Sequence, residues 1–208
     1  MQYINEFLGL KCVADVMASV GSLGKNAAKE ITESMAVIKR ARSIFLDSTY
    51  TTPITVYDLC AGNALTSVLI SFLFKVDHVY AIDKKPRERR WELINSFTYL
   101  TKDINNIDEE SVEKDSLIIA VHPCSKLATH VCTLYNKSAA KYLIMLPCCV
   151  GSMPDIGSRY PHIVREKVSK YTLWSLCLAE KVNGNVHEDK KCLSPANHVI
   201  TATKEEVI

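Results

Sequence analysis

From residue 54 onward, short apolar segments rich in β-branched residues alternate with helical stretches, and that alternation limits the fold more than any other feature of the chain. Ile54–Leu59, His78–Ile82, Phe97–Thr101, Ser116–Val121 and Lys141–Leu146 read as strands, with a final strand at His198–Thr203. Ala64–Lys75 and Lys126–Asn136 read as helices between them, and Pro86 marks the start of another that runs to about Thr98. A helix follows at 162–182, through Val164, Val168, Tyr171, Trp174 and Leu178. Strands this apolar are covered on both faces, as in parallel sheets. The fold class is α/β, doubly wound, with a mostly parallel sheet. Residues 183–192 are too polar for a core strand, so either the sheet lacks a strand or the stretch 162–182 contains one.

Ahead of this lies a helical extension over residues 1–50, with the α/β domain over 51–208. Phe7, Leu8, Val13, Val16 and Met17 recur at helical spacing, and Gly21 and Gly24 interrupt the pattern. A second helix starts near Asn26 and carries Ile31, Met35, Ile38 and Ile44-Phe45 on one face. Thr51-Thr52-Pro53 breaks it.

With 208 residues, 48% of them hydrophobic and 23% charged, the chain is an ordinary soluble domain by composition. A net charge of +2 excludes a protein that coats nucleic acid by bulk charge. Its first residues lack a basic start and apolar run, and no apolar run reaches membrane-span length. Most of the eight cysteines sit in apolar stretches, among them Cys12, Cys60, Cys132 and Cys177, as reduced thiols do in a cytoplasmic protein.

In open parallel sheets, ligands bind beyond the carboxyl ends of the strands. Those ends read Asp58-Leu59-Cys60-Ala61-Gly62-Asn63, Asp83-Lys84, Asp103-Ile104, His122-Pro123-Cys124 and Pro147-Cys148-Cys149. Gly62 lets backbone approach a ligand, and Asp83 stands where an acid accepts ribose hydroxyls, so an adenosine-containing cofactor is the natural candidate. A dinucleotide needs Gly-x-Gly-x-x-Gly against its pyrophosphate. Here those positions are Cys60, Gly62 and Leu65. S-adenosylmethionine has no phosphate and tolerates side chains in the loop, and its amino group suits Asp58.

The sequence resembles the class I S-adenosylmethionine-dependent methyltransferases, through Asp58–Asn63 and Ala81-Ile82-Asp83-Lys84, over about residues 54–203. The resemblance implies a Rossmann-like methyltransferase fold. It also implies that Asp58, Cys60, Ala61, Gly62 and Asn63 wrap the methionine part, that Asp83 and Lys84 meet the ribose, and that Asp103 and Ile104 face the adenine. The departure is Ala64, where many members carry another glycine. His122-Pro123-Cys124 with Pro147-Cys148-Cys149 resembles a subgroup with His-x-Cys after strand four and Pro-Cys-Cys after strand five. Leu193–Ile200 resembles the end of those domains, and some relatives of the subgroup are associated with tRNA modification.

Three chemistries compete for these loops. His122, which also borders the cofactor, suits a general base at neutral pH. Cys124 suits a nucleophile with Cys149 as its companion, as in cytosine-5 RNA methyltransferases, although that family's aspartate two residues before the Pro-Cys proline is Val121 here. A zinc or iron–sulfur site is disfavoured because the spacing is not a pair of Cys-x-x-Cys motifs. The expected catalytic residues are therefore His122, Cys124 and Cys149, with no metal. Buried cysteine filler is the bland alternative.

Two basic clusters suit phosphates: Lys84, Lys85, Arg87, Arg89 and Arg90, and Lys39, Arg40 and Arg42. The first sits on the adenosine side, away from where methyl acceptors enter. The second lies in the extension, which in this fold often covers the acceptor side, so Lys39, Arg40 and Arg42 are expected to matter more for RNA. The expected function is methylation of RNA, tRNA or rRNA, from S-adenosylmethionine. The alternatives are a non-catalytic binding or assembly module on the same fold, and a metal or redox module.

Overall fold

A computed structural model of the chain describes residues 2–46, 52–151, 160 and 162–205. The boundary expected between residues 50 and 51 lies outside the described residues, as does Thr51 of the expected chain break. The elements are α1 (Gln2–Leu8), α2 (Val13–Val20), α3 (Ala27–Phe45), β1 (Ile54–Leu59), α4 (Leu65–Leu73), β2 (Val76–Asp83), β3 (Phe97–Thr101), β4 (Leu117–Val121), α5 (Lys126–Lys137), β5 (Tyr142–Leu146), α6 (His162–Lys167), α7 (Lys170–Lys181), β6 (Asn185–Glu188) and β7 (His198–Thr203).

The seven strands lie in the order β3-β2-β1-β4-β5-β7-β6. β1 to β5 are mutually parallel, and β7 runs antiparallel to both β5 and β6. The chain order reverses between β1 and β4, and the carboxyl ends of those strands open onto the crevice that forms there.

Alternate residues of each central strand feed two cores. Val56, Leu117, Ile119, Ile144 and Leu146 face α1–α4. Tyr57, Leu59, Ile118, Ala120, Leu143 and Met145 face α5 and α7. Leu117, Ile118, Ile119 and Leu143 are fully buried. Each contributes about 2–3 kcal/mol of transfer free energy. α3 is buried around most of its circumference, from Thr32 to Ile38 and again at Ala41. It packs against α1, α4, β5 and β7. A hydrogen bond of 2.7 Å from the Tyr3 hydroxyl to Asp189 Oδ2 ties the start of the chain to the turn before β7.

Four expectations are corrected. The region before residue 46 is three helices, because Gly9, after α1, and Gly21, at the end of α2, separate them. No helix follows Pro86. That segment is irregular apart from a short turn at Trp91–Leu93, where it packs against α2, while α4 is the helix that covers β2. Arg90 N–H donates to Ser19 O at 3.3 Å, and Arg89 reaches Ser22 O at 3.4 Å. The stretch 162–182 is two helices, broken where the Ser169 side chain caps α7 by accepting from Thr172 N–H. Residues 185–188 do form a strand, at the sheet edge, where a polar sequence is tolerated because one side faces solvent. No helix among the described residues is long and apolar enough to cross a membrane.

Candidate active site

The turn after β1 coils tightly. Cys60, Gly62 and Ala64 have φ of 63°, 55° and 59°, all in the left-handed region. A Cβ on Gly62 would meet nothing within 4 Å, so glycine serves the backbone angle there rather than space. Ala64 sits where many relatives carry glycine, in a conformation that glycine adopts at no cost. Asp83 holds the turn. Its two carboxylate oxygens accept from Gly62 N–H and Lys85 N–H, each at 2.9 Å. The Tyr99 hydroxyl lies 3.1 Å from Gly62 O and 3.0 Å from Lys85 O, and Arg87 Nε donates to Gly62 O at 3.4 Å. Trp91 stacks on Tyr99 with an interplanar angle of 2°.

Asp58 lies beneath this turn at 1% exposure. Its Oδ1 has no hydrogen-bond partner among the described residues. Burial pushes its carboxyl up to about 7, with Ser67 opposing through a hydrogen bond and Asp83 reinforcing through its charge. A buried acid with an orphaned oxygen suits a cationic partner such as an ammonium group. Burial also pushes the Cys60 thiol up to about 12, aided by the charges of Asp83, Asp58, Cys124 and Asp103. Cys60 therefore sits among the acids as a neutral, inert side chain at neutral pH.

The sequence reading missed α3's contribution. Glu30 Oε2 accepts from Asn63 Nδ2 at 3.1 Å, which fixes the end of the glycine turn. Burial raises the Glu30 carboxyl, and Asn63 opposes. One helical turn on, Glu33 Oε2 lies 2.6 Å from His122 Nε2. Glu33 is buried, and Lys29 Nζ stands 3.8 Å from its other oxygen. His122 has φ of 62°, and its N–H donates to Leu146 O at 2.9 Å, which swings the imidazole off the end of β4. A carboxylate this close orients an imidazole, as general bases require. The only sequence signal was a pair of acids, Glu30 and Glu33, flanking the start of an otherwise apolar helix face.

The three thiols at the strand ends also converge. Cys124 Sγ is 3.0 Å from Cys148 Sγ and 3.7 Å from Cys149 Sγ, and the last two are 3.3 Å apart. All eight cysteines are free, and Cys124 and Cys149 are exposed.

The glycine turn, His122 and the three thiols share one cleft of about 520 Å³, and Asp58 and Asp83 are not among its lining residues. Cys60, Ala61, Gly62, Asn63, His122, Cys124 and Cys149 line it, together with Glu30 and Glu33 of α3. Ser194-Pro195-Ala196 closes one side, anchored by Leu193 N–H donating to Thr32 Oγ1 at 3.1 Å. Asp83 supports the cleft from behind. Lys84 is exposed beside it. Asp103 and Ile104 stand at the end of β3, outside the lining. Asp103 accepts from Asn105 N–H at 2.9 Å, and the Ile104 side chain is buried in the core.

The basic residues are dispersed. Arg87 lines the cleft. Arg89 is held by Ser22 O, and Arg90 pairs with Glu92 at 3.6 Å. Lys85 is exposed. Lys39 pairs with Asp189 at 3.6 Å, and Arg40 is half-buried. Lys39 and Arg42 line a separate recess further along α3.

The residues present fit S-adenosylmethionine: a buried acid with an orphaned oxygen under a left-handed turn, and a second acid behind that turn. Comparison with known proteins agrees in fold. The chain is similar to magnesium protoporphyrin IX methyltransferase (ChlM) from Synechocystis PCC 6803, crystallised with bound SAM, at 11% identity and a TM-score of 0.53, over 98% of this chain and 96% of that one. It is similar to the CurJ carbon methyltransferase at 15% identity and a TM-score of 0.53, over 94% of this chain and 58% of that one. No curated protein matches it. A methyltransferase domain family matches residues 26–155, which is more than half of the chain. The chain thus belongs to the methyltransferase domain family, and it carries the class I fold of the S-adenosylmethionine-dependent enzymes that its first two strand ends resemble.

Proposed function

We propose that this enzyme transfers a methyl group from S-adenosylmethionine to an acceptor that enters the cleft between α3 and the loops after β4 and β5. The Glu33–His122 contact carries this reading, because it places an oriented base beside the cofactor turn. Gly62, Asn63, Asp58 and Asp83 would hold the cofactor, which supplies an electrophilic methyl group on a sulfonium. Glu33 accepts from Nε2–H of His122 and so fixes the tautomer whose Nδ1 carries the lone pair. That nitrogen takes the acceptor's proton as its oxygen or nitrogen is methylated. The buried Glu33 carboxylate stabilises the imidazolium that results. Calorimetric titration with S-adenosylmethionine tests the cofactor site. Micromolar binding that Asp83→Ala abolishes supports it, and a folded protein that takes up no cofactor defeats it.

The proposed acceptor is RNA, and the proposed place of work is the cytoplasm, in keeping with eight free thiols. Arg87, which lines the cleft, offers a cation to a phosphate-bearing acceptor. The fold itself does not choose an acceptor, and its other members act on molecules as unlike RNA as magnesium protoporphyrin IX. Transfer of labelled methyl groups into total RNA checks the class. Label that enters only small molecules or protein excludes it.

A further inference from the structure

The methyl-transfer reading leaves three thiols unused at the mouth of the cleft. Cys124 comes from the loop after β4, and Cys148 and Cys149 come from the loop after β5. In a strand, neighbouring residues point to opposite faces. Here β5 ends at Leu146, and the chain turns so that the sulfurs of Cys148 and Cys149 lie 3.3 Å apart on one side. That turn brings two adjacent cysteines to a common point. Cys124 is bracketed by His122 and Ser125, with φ of 62° and 51°, and its carbonyl accepts from Leu127 N–H at 3.0 Å. Two left-handed non-glycine residues around one thiol are backbone strain held for its placement.

We propose that Cys124, Cys148 and Cys149 bind one zinc ion through three thiolates, with the fourth position open to the cleft. Zinc–sulfur bonds of about 2.3 Å set the sulfurs of a tetrahedral site about 3.8 Å apart. The three separations here, 3.0, 3.3 and 3.7 Å, approach that triangle, and side-chain torsions alone supply the rest. A disulfide would consume two sulfurs and leave the third without a role. Three protein ligands with one open position is the arrangement of zinc sites that bind a further molecule, rather than purely structural ones. His122 is not the fourth ligand through Nε2, because Glu33 holds that atom. The open position therefore takes water or an atom of the acceptor. The site also sits at the amino end of α5, where the helix's partial positive charge suits a centre carrying three thiolates.

The test uses the full chain, stripped of metal under reducing conditions and titrated with zinc against a chromophoric chelator, then separately with cobalt(II). One zinc per chain is expected, with a thiolate-to-cobalt charge-transfer band and the visible bands of tetrahedral cobalt. Cys124→Ser and Cys149→Ser each weaken zinc binding by roughly 100-fold or more. Cys12→Ser, just before α2 and away from the cleft, leaves it unchanged. Retained S-adenosylmethionine binding by the cleft variants shows that they are folded and separates this site from the cofactor reading. Absence of the cobalt spectrum in the unmodified protein overturns the proposal without recourse to any variant. Zinc affinity unmoved by Cys149→Ser, or a stable Cys124–Cys148 disulfide in metal-free protein as isolated, overturns it as well.

Discussion

Replacing Asp58 with asparagine trades cofactor binding for stability, and the size of the exchange follows from burial. The folded-state carboxyl titrates near 7, against an ordinary aspartate value of 3.8. Between those limits the folded chain keeps a proton that the unfolded chain releases. Stability therefore falls as pH rises through the window and levels off above it. At about 1.4 kcal/mol per pH unit, the cost is about 2 kcal/mol at pH 5 and about 4 kcal/mol at pH 8. Asparagine removes the titration but leaves a buried amide facing the orphaned Oδ1 position, at about 1–3 kcal/mol whatever the pH. Asp58→Asn is thus expected near neutral in stability at pH 5 and more stable than the parent by roughly 1–3 kcal/mol at pH 8. Urea unfolding of both proteins at the two pH values reads this, because titrating groups far from Asp58 cancel in the difference. Weakened S-adenosylmethionine binding accompanies the gain. A stability difference between variant and parent that is the same at pH 5 and pH 8 refutes the argument, since it means that Asp58 titrates as an exposed acid does.

Glu33→Gln lowers the methyl-transfer rate by roughly 10²–10⁴-fold while cofactor affinity stays within a few-fold; a parallel loss of affinity in calorimetry contradicts the dyad. Asp83→Ala strands Gly62 N–H and Lys85 N–H, so it lowers stability by about 1–3 kcal/mol in addition to abolishing cofactor binding, seen as a fall in urea midpoint. Gly62→Ala costs about 1–2 kcal/mol despite open space around it, because of its backbone angle. Gly184→Ala costs more, because its Cβ would lie 2.5 Å from Thr201 O, and thermal melting orders the two variants.

The strands were legible because a sheet covered on both faces needs unbroken apolar runs, and Ile54–Leu59 matches to the residue. Asp58, Gly62 and Asp83 could be assigned to one site because parallel topology brings those strand ends together, and Asp83 does hold Gly62. β6 was hidden because an edge strand needs little apolar character. The absent helix after Pro86 was invisible because that segment is held by contacts with α2, some 70 residues earlier in the chain, which no local pattern reveals. Glu33 escaped for the same reason: its meaning depends on His122, 89 residues away. The thiol cluster was judged by spacing, whereas its geometry comes from a turn beyond β5.

The bond between Tyr3 and Asp189 has a consequence for synthesis. At about 5–20 residues per second, on the order of 10–40 s separate the emergence of its two partners from the ribosome. Through that interval the apolar faces of α1 and α3 lack the strands β5 and β7 that complete their core. A nascent chain of this protein therefore leaves that apolar surface uncovered until β7 emerges, and slowing translation lengthens the exposure.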